Sequence, residues 1–306
     1  MKLYFAPLEG ITTYTYRNAH FEMFGGCDAY FAPFITPTDN ERISMKNLRD
    51  IIPENNKTPL KVQVLINSAT ALDDFIRKIK EFGYTSVNIN FGCPSGTVVK
   101  KGRGSGALKD IEKLDKMLGD VFSNVDFEIS VKTRTGFYSQ NEFEEILKVY
   151  NKYPISELII HPRVREDFYN NVPHMETFKS AYANAKMPLC YNGDIFTVSD
   201  YEKTVQQFKN IGGVMIGRGA IKNPAIFREI RGGKALTTSE LADFSKLLEE
   251  RYLKVLQSEA YTLQKLKEIW MYIMWNFPEE KKILKAIKKS STLMEINMAI
   301  RSLPKL

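Results

Sequence analysis

Eight short apolar runs recur along the chain, each leading into polar or glycine-containing residues and most then into a charged segment of helical period. They occupy residues 3–6, 29–32, 61–66, 86–90, 127–131, 157–160, 187–191 and 213–216. Strand alternating with helix predicts a parallel sheet, and eight such units in about 220 residues predict a closed (β/α)8 TIM barrel. At 306 residues the chain has room for more than the barrel. The barrel punctuation stops near Gly232-Gly233-Lys234, Thr237 to Glu240 has capping-box spacing, and long helical patterns follow. Thr292 to Glu295 repeats that spacing. The expected organisation is an α/β barrel over residues 1–235 followed by a small C-terminal all-α helical domain over 236–306. The run from Ile269 to Trp275 reads as helix core rather than as an aromatic platform for RNA.

Composition narrows the function class. The three cysteines, Cys27, Cys93 and Cys190, are odd in number and far apart, which argues against a disulfide framework and for a reducing compartment. The opening residues are too short an apolar run for a signal peptide, and no stretch approaches the roughly 20 apolar residues of a membrane span, so a cytoplasmic protein without a membrane partner is expected. The net charge is +7, and residues 262–306 hold eight Lys and one Arg against four Glu. Such a basic end suits a polyanion, although solvated lysines on helix faces give the same count. His20, His161 and His174 lack ligand spacing with one another or with the cysteines, so no metal is expected. No Gly-x-Gly-x-x-Gly follows the first strand.

In a (β/α)8 barrel, function sits at the carboxyl ends of the strands. Those ends read Pro7-Leu8-Glu9-Gly10, Gln63, Asn90 with Cys93, Lys132-Thr133-Arg134, His161-Pro162-Arg163, Asn192-Gly193-Asp194 and Gly217-Arg218-Gly219. Cys93 is a latent acid or nucleophile, mostly protonated at neutral pH, or simply a small buried hydrophobe. The stretch from Ser95 to Gly106 reads as a mobile, basic, glycine-punctuated loop over an anionic substrate. Arg218 between two glycines, one strand after Asn192-Gly193-Asp194, suggests a phosphate cradle and hence a phosphorylated cofactor. Lys132 at the end of a buried strand needs a partner to offset desolvation. A reduced flavin is one, and a rim carboxylate such as Glu9 or Asp194 is another.

Taken in order, the segments beginning at Ala6, Gln63, Asn88, Val131, His161, Asn192 and Gly217 resemble the tRNA-dihydrouridine synthases over almost the whole chain. The resemblance implies an FMN-containing barrel, a helical tRNA-binding domain and reduction of selected uridines with NADPH or NADH as reductant. It places Pro7, Leu8 and Glu9 along the flavin, Gln63 and Lys132 on its rings, and His161 facing flavin or substrate. Asn192, Gly193, Asp194, Gly217 and Arg218 would hold ribityl and phosphate. Asn90 would orient the uracil and Cys93 would donate the proton. Hydride addition at carbon 6 of uracil leaves an enolate-like charge that is protonated at carbon 5, which a thiol acid can do. A uridine must first leave its stack, at a few kcal/mol, so backbone contacts are needed. Lys100, Lys101, Arg103, Arg134, Arg163 and Arg165 are the candidate substrate-binding residues. Leu8 stands where the family often has Met, Pro162 replaces a small residue, and residues 169–174 follow the family pattern only loosely. A monomer is expected. Two rivals stand beside this reading: a flavin barrel acting on another RNA or a free small molecule, and a non-catalytic RNA-binding barrel.

Overall fold

The computed structural model describes residues 1–37, 48–124 and 126–306. Its eight strands are β1 (Lys2–Phe5), β2 (Ala29–Phe31), β3 (Leu60–Val64), β4 (Ser86–Phe91), β5 (Glu128–Gly136), β6 (Leu158–Val164), β7 (Leu189–Tyr191) and β8 (Gly213–Ile216). They pair in parallel in sequence order and close through β1 on β8. All eight expected runs are strands, with ends displaced by a few residues. The largest displacement is on β5 and β6, which run on to Gly136 and Val164 and so carry Lys132, Arg134, His161 and Arg163 inside the sheet.

The helices cover the barrel because one face of each is apolar. In the helix Ala69–Glu81 the buried positions are Ala71, Leu72, Phe75, Ile76 and Ile79, a single stripe at helical spacing. Ser68 Oγ accepts from the Ala71 N–H and satisfies one of the donors exposed at its start.

After β8 and two short helices, residues Thr238–Leu256, Glu259–Ile273, Lys281–Lys289 and Leu293–Arg301 form the C-terminal helices. The first starts with the expected capping box. Thr237 Oγ1 accepts from Glu240 N at 3.2 Å, and Glu240 Oε2 accepts from Thr237 N at 3.0 Å. At Thr292 only half the box forms, because Glu295 accepts from the Ser291 N–H one residue earlier. Phe244 meets Tyr16 and Phe24 edge-on at 5.5 and 5.2 Å, docking the helix Thr238–Leu256 on the first barrel helix, Tyr14–Met23. Such ring pairs add roughly 0.5–1.5 kcal/mol beyond their burial. The barrel wall and the C-terminal helices share one hydrophobic core. No described helix is long and apolar enough to cross a membrane.

Candidate active site

A cavity of about 560 Å³ opens at the carboxyl ends of the strands, within the usual size range of a small-molecule site. Strand period explains its polar wall. Side chains two apart share a face, so Asn88 and Asn90, Lys132 and Arg134, and Ile159, His161 and Arg163 form inward-facing rows. Gln63 is in register with Asn88, Asn90 with Lys132, and Arg134 with His161.

The floor near Cys93 is a directed hydrogen-bond chain. Asn90 Nδ2 donates to Gln63 Oε1 at 2.7 Å, Gln63 Nε2 to Asn88 Oδ1 at 2.8 Å, and Asn88 Nδ2 to Ser130 Oγ at 2.9 Å. Asn90 Oδ1 accepts from the backbone N–H groups of Gly92 and Cys93 at 2.8 and 2.9 Å. The asparagine therefore fixes the turn that carries the thiol. Burial raises the Cys93 thiol above its ordinary value, opposed by the Ser95 N–H and assisted by Glu9, so the protonated form prevails at neutral pH.

The segment expected as a mobile loop after Cys93 is folded. It contains the helix Gly96–Val99 and the 3-10 helix Gly104–Lys109, and Ser105 donates to the Cys93 carbonyl through both N and Oγ. Gly104 has φ +55, and a Cβ there would lie 2.8 Å from that carbonyl oxygen and 3.0 Å from Cys93 Cβ. Only glycine permits that approach.

Across the cavity, burial and then the Arg134 charge lower the Lys132 ammonium to about 8. Neither expected carboxylate meets it. Asp194 is held by Arg163 through two hydrogen bonds of 3.0 and 2.6 Å and by Arg218 at 2.6 Å. No ion pair among the described residues joins Lys132 to Glu9. Burial pushes the Asp194 carboxyl up, but Arg163 and Arg218 together bring it below the ordinary range. Glu9, at the mouth, is raised by burial and by Asp50, with Lys265 opposing. Asn192 Nδ2 donates to the Met215 carbonyl, tying β7 to β8. Gly193 has no room for a side chain, since a Cβ would stand 1.9 Å from the Tyr191 hydroxyl.

Pro7, Leu8, Glu9, Gln63, Asn90, Cys93, Lys132, Arg134, His161, Asn192, Gly193, Asp194, Gly217 and Arg218 all line this one cavity. Four of the cationic candidates are held by partners within the protein. Arg103 is buried and donates to Asn67 Oδ1 and the Pro37 carbonyl. Arg134 lines the cavity and is anchored by the carbonyls of Gly92, Val164 and Phe168, which take three of its five N–H donors. Arg163 is 1 % exposed and bound to Asp194. Arg165 lies between the rings of Phe137 and Phe168 and pairs with Glu166. Buried backbone carbonyls and carboxylates outcompete solvent for these guanidiniums, which sequence position alone does not reveal. Lys100 and Lys101 are exposed, as expected.

Residues without an assigned role complete the mouth. Tyr169 lies between the guanidiniums of Arg134 and Arg218, 5.3 and 5.0 Å from its ring centre. Met271, Tyr272 and Trp275 line the cavity from the C-terminal side. The expected helix core holds for Ile269, Trp270 and Ile273, with Trp270 Nε1 donating to Ser245 Oγ. Met274 is buried too, Met271 and Tyr272 are half-buried against the core as well as facing the cavity, and only Trp275 is exposed; the spacing 271, 272, 275 is the signal for the cavity face. Lys265 Nζ donates to the Gly10 carbonyl at 3.0 Å and Asn276 Nδ2 to the Lys222 carbonyl at 2.7 Å, so these helices grip both flanks of the cavity.

A model of the dihydrouridine synthase (Dus) family matches residues 4–302. The chain belongs to that family. It is 24% identical over 318 residues to a tRNA-dihydrouridine(16) synthase of Cupriavidus necator, covering 99% of this chain and 97% of that protein. It is 28% identical over 253 residues to tRNA-dihydrouridine synthase B of Pseudomonas syringae pv. tomato, covering 81% of this chain and 74% of that one. Among solved structures, the old yellow enzyme from Trypanosoma cruzi is similar at a TM-score of 0.50 and 11% identity, over 76% of this chain and 88% of that chain. That likeness is one of barrel fold. This Dus chain therefore carries its family's match and its strand-end cavity on the same residues.

Proposed function

We propose that this dihydrouridine synthase reduces the C5–C6 double bond of particular uridines in tRNA, using FMN and NADPH or NADH. The observation that carries the reading is the meeting, in one cavity, of a protonated thiol, an ammonium without a carboxylate partner among the described residues, and a neutral imidazole.

These residues fit a flavin mononucleotide. The Lys132 ammonium offers charge to an anionic ring, Gln63 retains an amide N–H beyond its bond to Asn88, and Arg218 retains donors beyond its bond to Asp194. Pro7, Leu8 and Glu9 would lie along the ring, and Asn192, Gly193, Asp194, Gly217 and Arg218 would hold ribityl and phosphate. When bound, the flavin supplies hydride-transfer chemistry. Cys93 supplies the proton at carbon 5 of uracil, and Asn90 holds the thiol's backbone while facing the base.

Residues 1–235 would act as the catalytic barrel and 236–306 as the tRNA-binding unit. Lys100 and Lys101 beside the thiol, and Lys281, Lys282, Lys285, Lys288 and Lys289 on the helix Lys281–Lys289, are exposed and form no ion pair among the described residues, which suits phosphate contacts.

The test is position-by-position mass spectrometry of tRNA from a strain lacking the gene against its parent, with purified protein added back. Loss of dihydrouridine at a defined position, restored by the protein with FMN and NADPH, is expected. Unchanged tRNA together with reduction of free uridine would favour the small-molecule reading instead.

A further inference from the structure

Arg163 makes an unusual contact for a cation. Its Nη1 lies 3.0 Å from His161 Nε2, while Nη1 and Nη2 also reach the two oxygens of Asp194 and Nε donates to the Asn171 carbonyl. A guanidinium has only donors and does not lose its proton, so Nε2 must be the acceptor and the imidazole proton must sit on Nδ1. Nδ1 has no protein partner among the described residues, and His161 lines the cavity. We propose that Arg163, anchored by Asp194, is a positioning residue that locks His161 in the Nδ1–H tautomer and makes it a fixed hydrogen-bond donor to the ligand.

The consequence is chemical. His161 recognises an acceptor, such as a ring carbonyl or an aromatic nitrogen of the cofactor or base, and does not serve as the acid, which leaves Cys93 in that role. The surrounding charges agree. Lys132 and Arg134 on β5, Arg163 on β6 and Arg218 after β8 all face the imidazole, and Asp194, the nearby counter-charge, is already shared between Arg163 and Arg218. Burial first, and then these cations, hold the imidazole well below its ordinary value. The inference rests on the proposed function only for the identity of the ligand.

Long-range proton–nitrogen spectra of the flavin-loaded protein labelled at histidine test it directly, because the chain has only His20, His161 and His174. His161→Asn assigns the signal. His20 supplies an internal reference of opposite tautomer, since its Nε2 faces the Pro224 carbonyl and its Nδ1 the Tyr30 hydroxyl. The expected result is a neutral, Nδ1-protonated His161 from about pH 5.5 to 9. In Arg163→Met the other tautomer should be populated while burial and the remaining cations keep the ring neutral, and Arg163→Lys should partly restore the lock. An Nε2-protonated or titrating His161 in the unaltered protein overturns the proposal, and that readout needs no variant to fold. A locked tautomer in a protein that leaves tRNA unreduced would overturn the function instead and leave this inference standing.

Discussion

Asn90→Ala is the most informative single perturbation, because it removes three hydrogen bonds at once. The Gly92 and Cys93 N–H groups and Gln63 Oε1 would all lose their partner. Gln63 is completely buried, whereas the two N–H groups border the cavity, where water can replace the amide. An orphaned buried group costs roughly 1–3 kcal/mol, so the buried oxygen at mid-range and the two wetter donors at the low end give about 4 kcal/mol in the apoprotein. At roughly 2 °C per kcal/mol for a chain of this size, Tm should fall by about 8 °C. Asn90→Asp behaves differently. It keeps both backbone bonds, and the chain can reverse polarity: Gln63 turns its amide to the new carboxylate, Asn88 turns to Gln63, and the Ser130 hydroxyl donates to Asn88. Thermal melts of apoprotein and holoprotein, with single-turnover reduction of tRNA, are the assay. The Asp variant should stay within about 1 kcal/mol of the parent while the Ala variant loses stability and, with its thiol turn unanchored, up to about 100-fold in rate. Equal melting of both variants, or an Ala variant as stable as the parent, would refute the network argument.

Cys93→Ala should keep flavin and NADPH oxidation while losing about 100-fold or more in dihydrouridine formation, read by mass spectrometry, and undiminished product would remove the thiol from the chemistry. Because burial raises that thiol, the loss of rate owed to Cys93 ionising should set in at higher pH than for an ordinary thiol, read in single-turnover protonation. Lys132 has a folded value near 8 against 10.5 unfolded, so between these the unfolded chain binds the extra proton and the Lys132 contribution to apoprotein stability rises with pH, against the opposite slope from the buried thiols. Lys132→Met should remove that contribution, so the parent's stability gains on the variant's as pH rises in denaturant titrations, and should weaken flavin binding in fluorescence titrations. Alanine at Lys281, Lys282 and Lys285 together should raise the KM for tRNA and flatten its salt dependence by roughly 0.7–0.9 per lost phosphate contact, with kcat unchanged. Arg103→Ala, by contrast, should lower Tm without altering the salt slope, because its guanidinium holds Asn67 and Pro37 rather than solvent.

The barrel is legible in the chain alone, because eight apolar runs alternating with helical segments admit few other ways to bury every strand on both faces. So is where chemistry sits: Asn90, Cys93, Lys132 and His161 fall at strand ends, and a parallel barrel brings all such ends to one rim. The start of the helix at Thr238 was equally local, since a capping box closes within four residues. Which cations remain free depends instead on the folded chain. Arg103, Arg134, Arg163 and Arg165 read like Lys100 and Lys101 along the chain, yet each finds carbonyls, a carboxylate or aromatic rings supplied from elsewhere in sequence or from a folded-back turn. The same holds for Met271, Tyr272 and Trp275, whose face joins the cavity only because Lys265 and Asn276 fasten their helix across the barrel mouth. Secondary structure follows from neighbours a few residues apart, whereas the partner of a buried charge is fixed by contacts over 30 to 250 positions, such as Arg163 with Asp194 and Lys265 with Gly10.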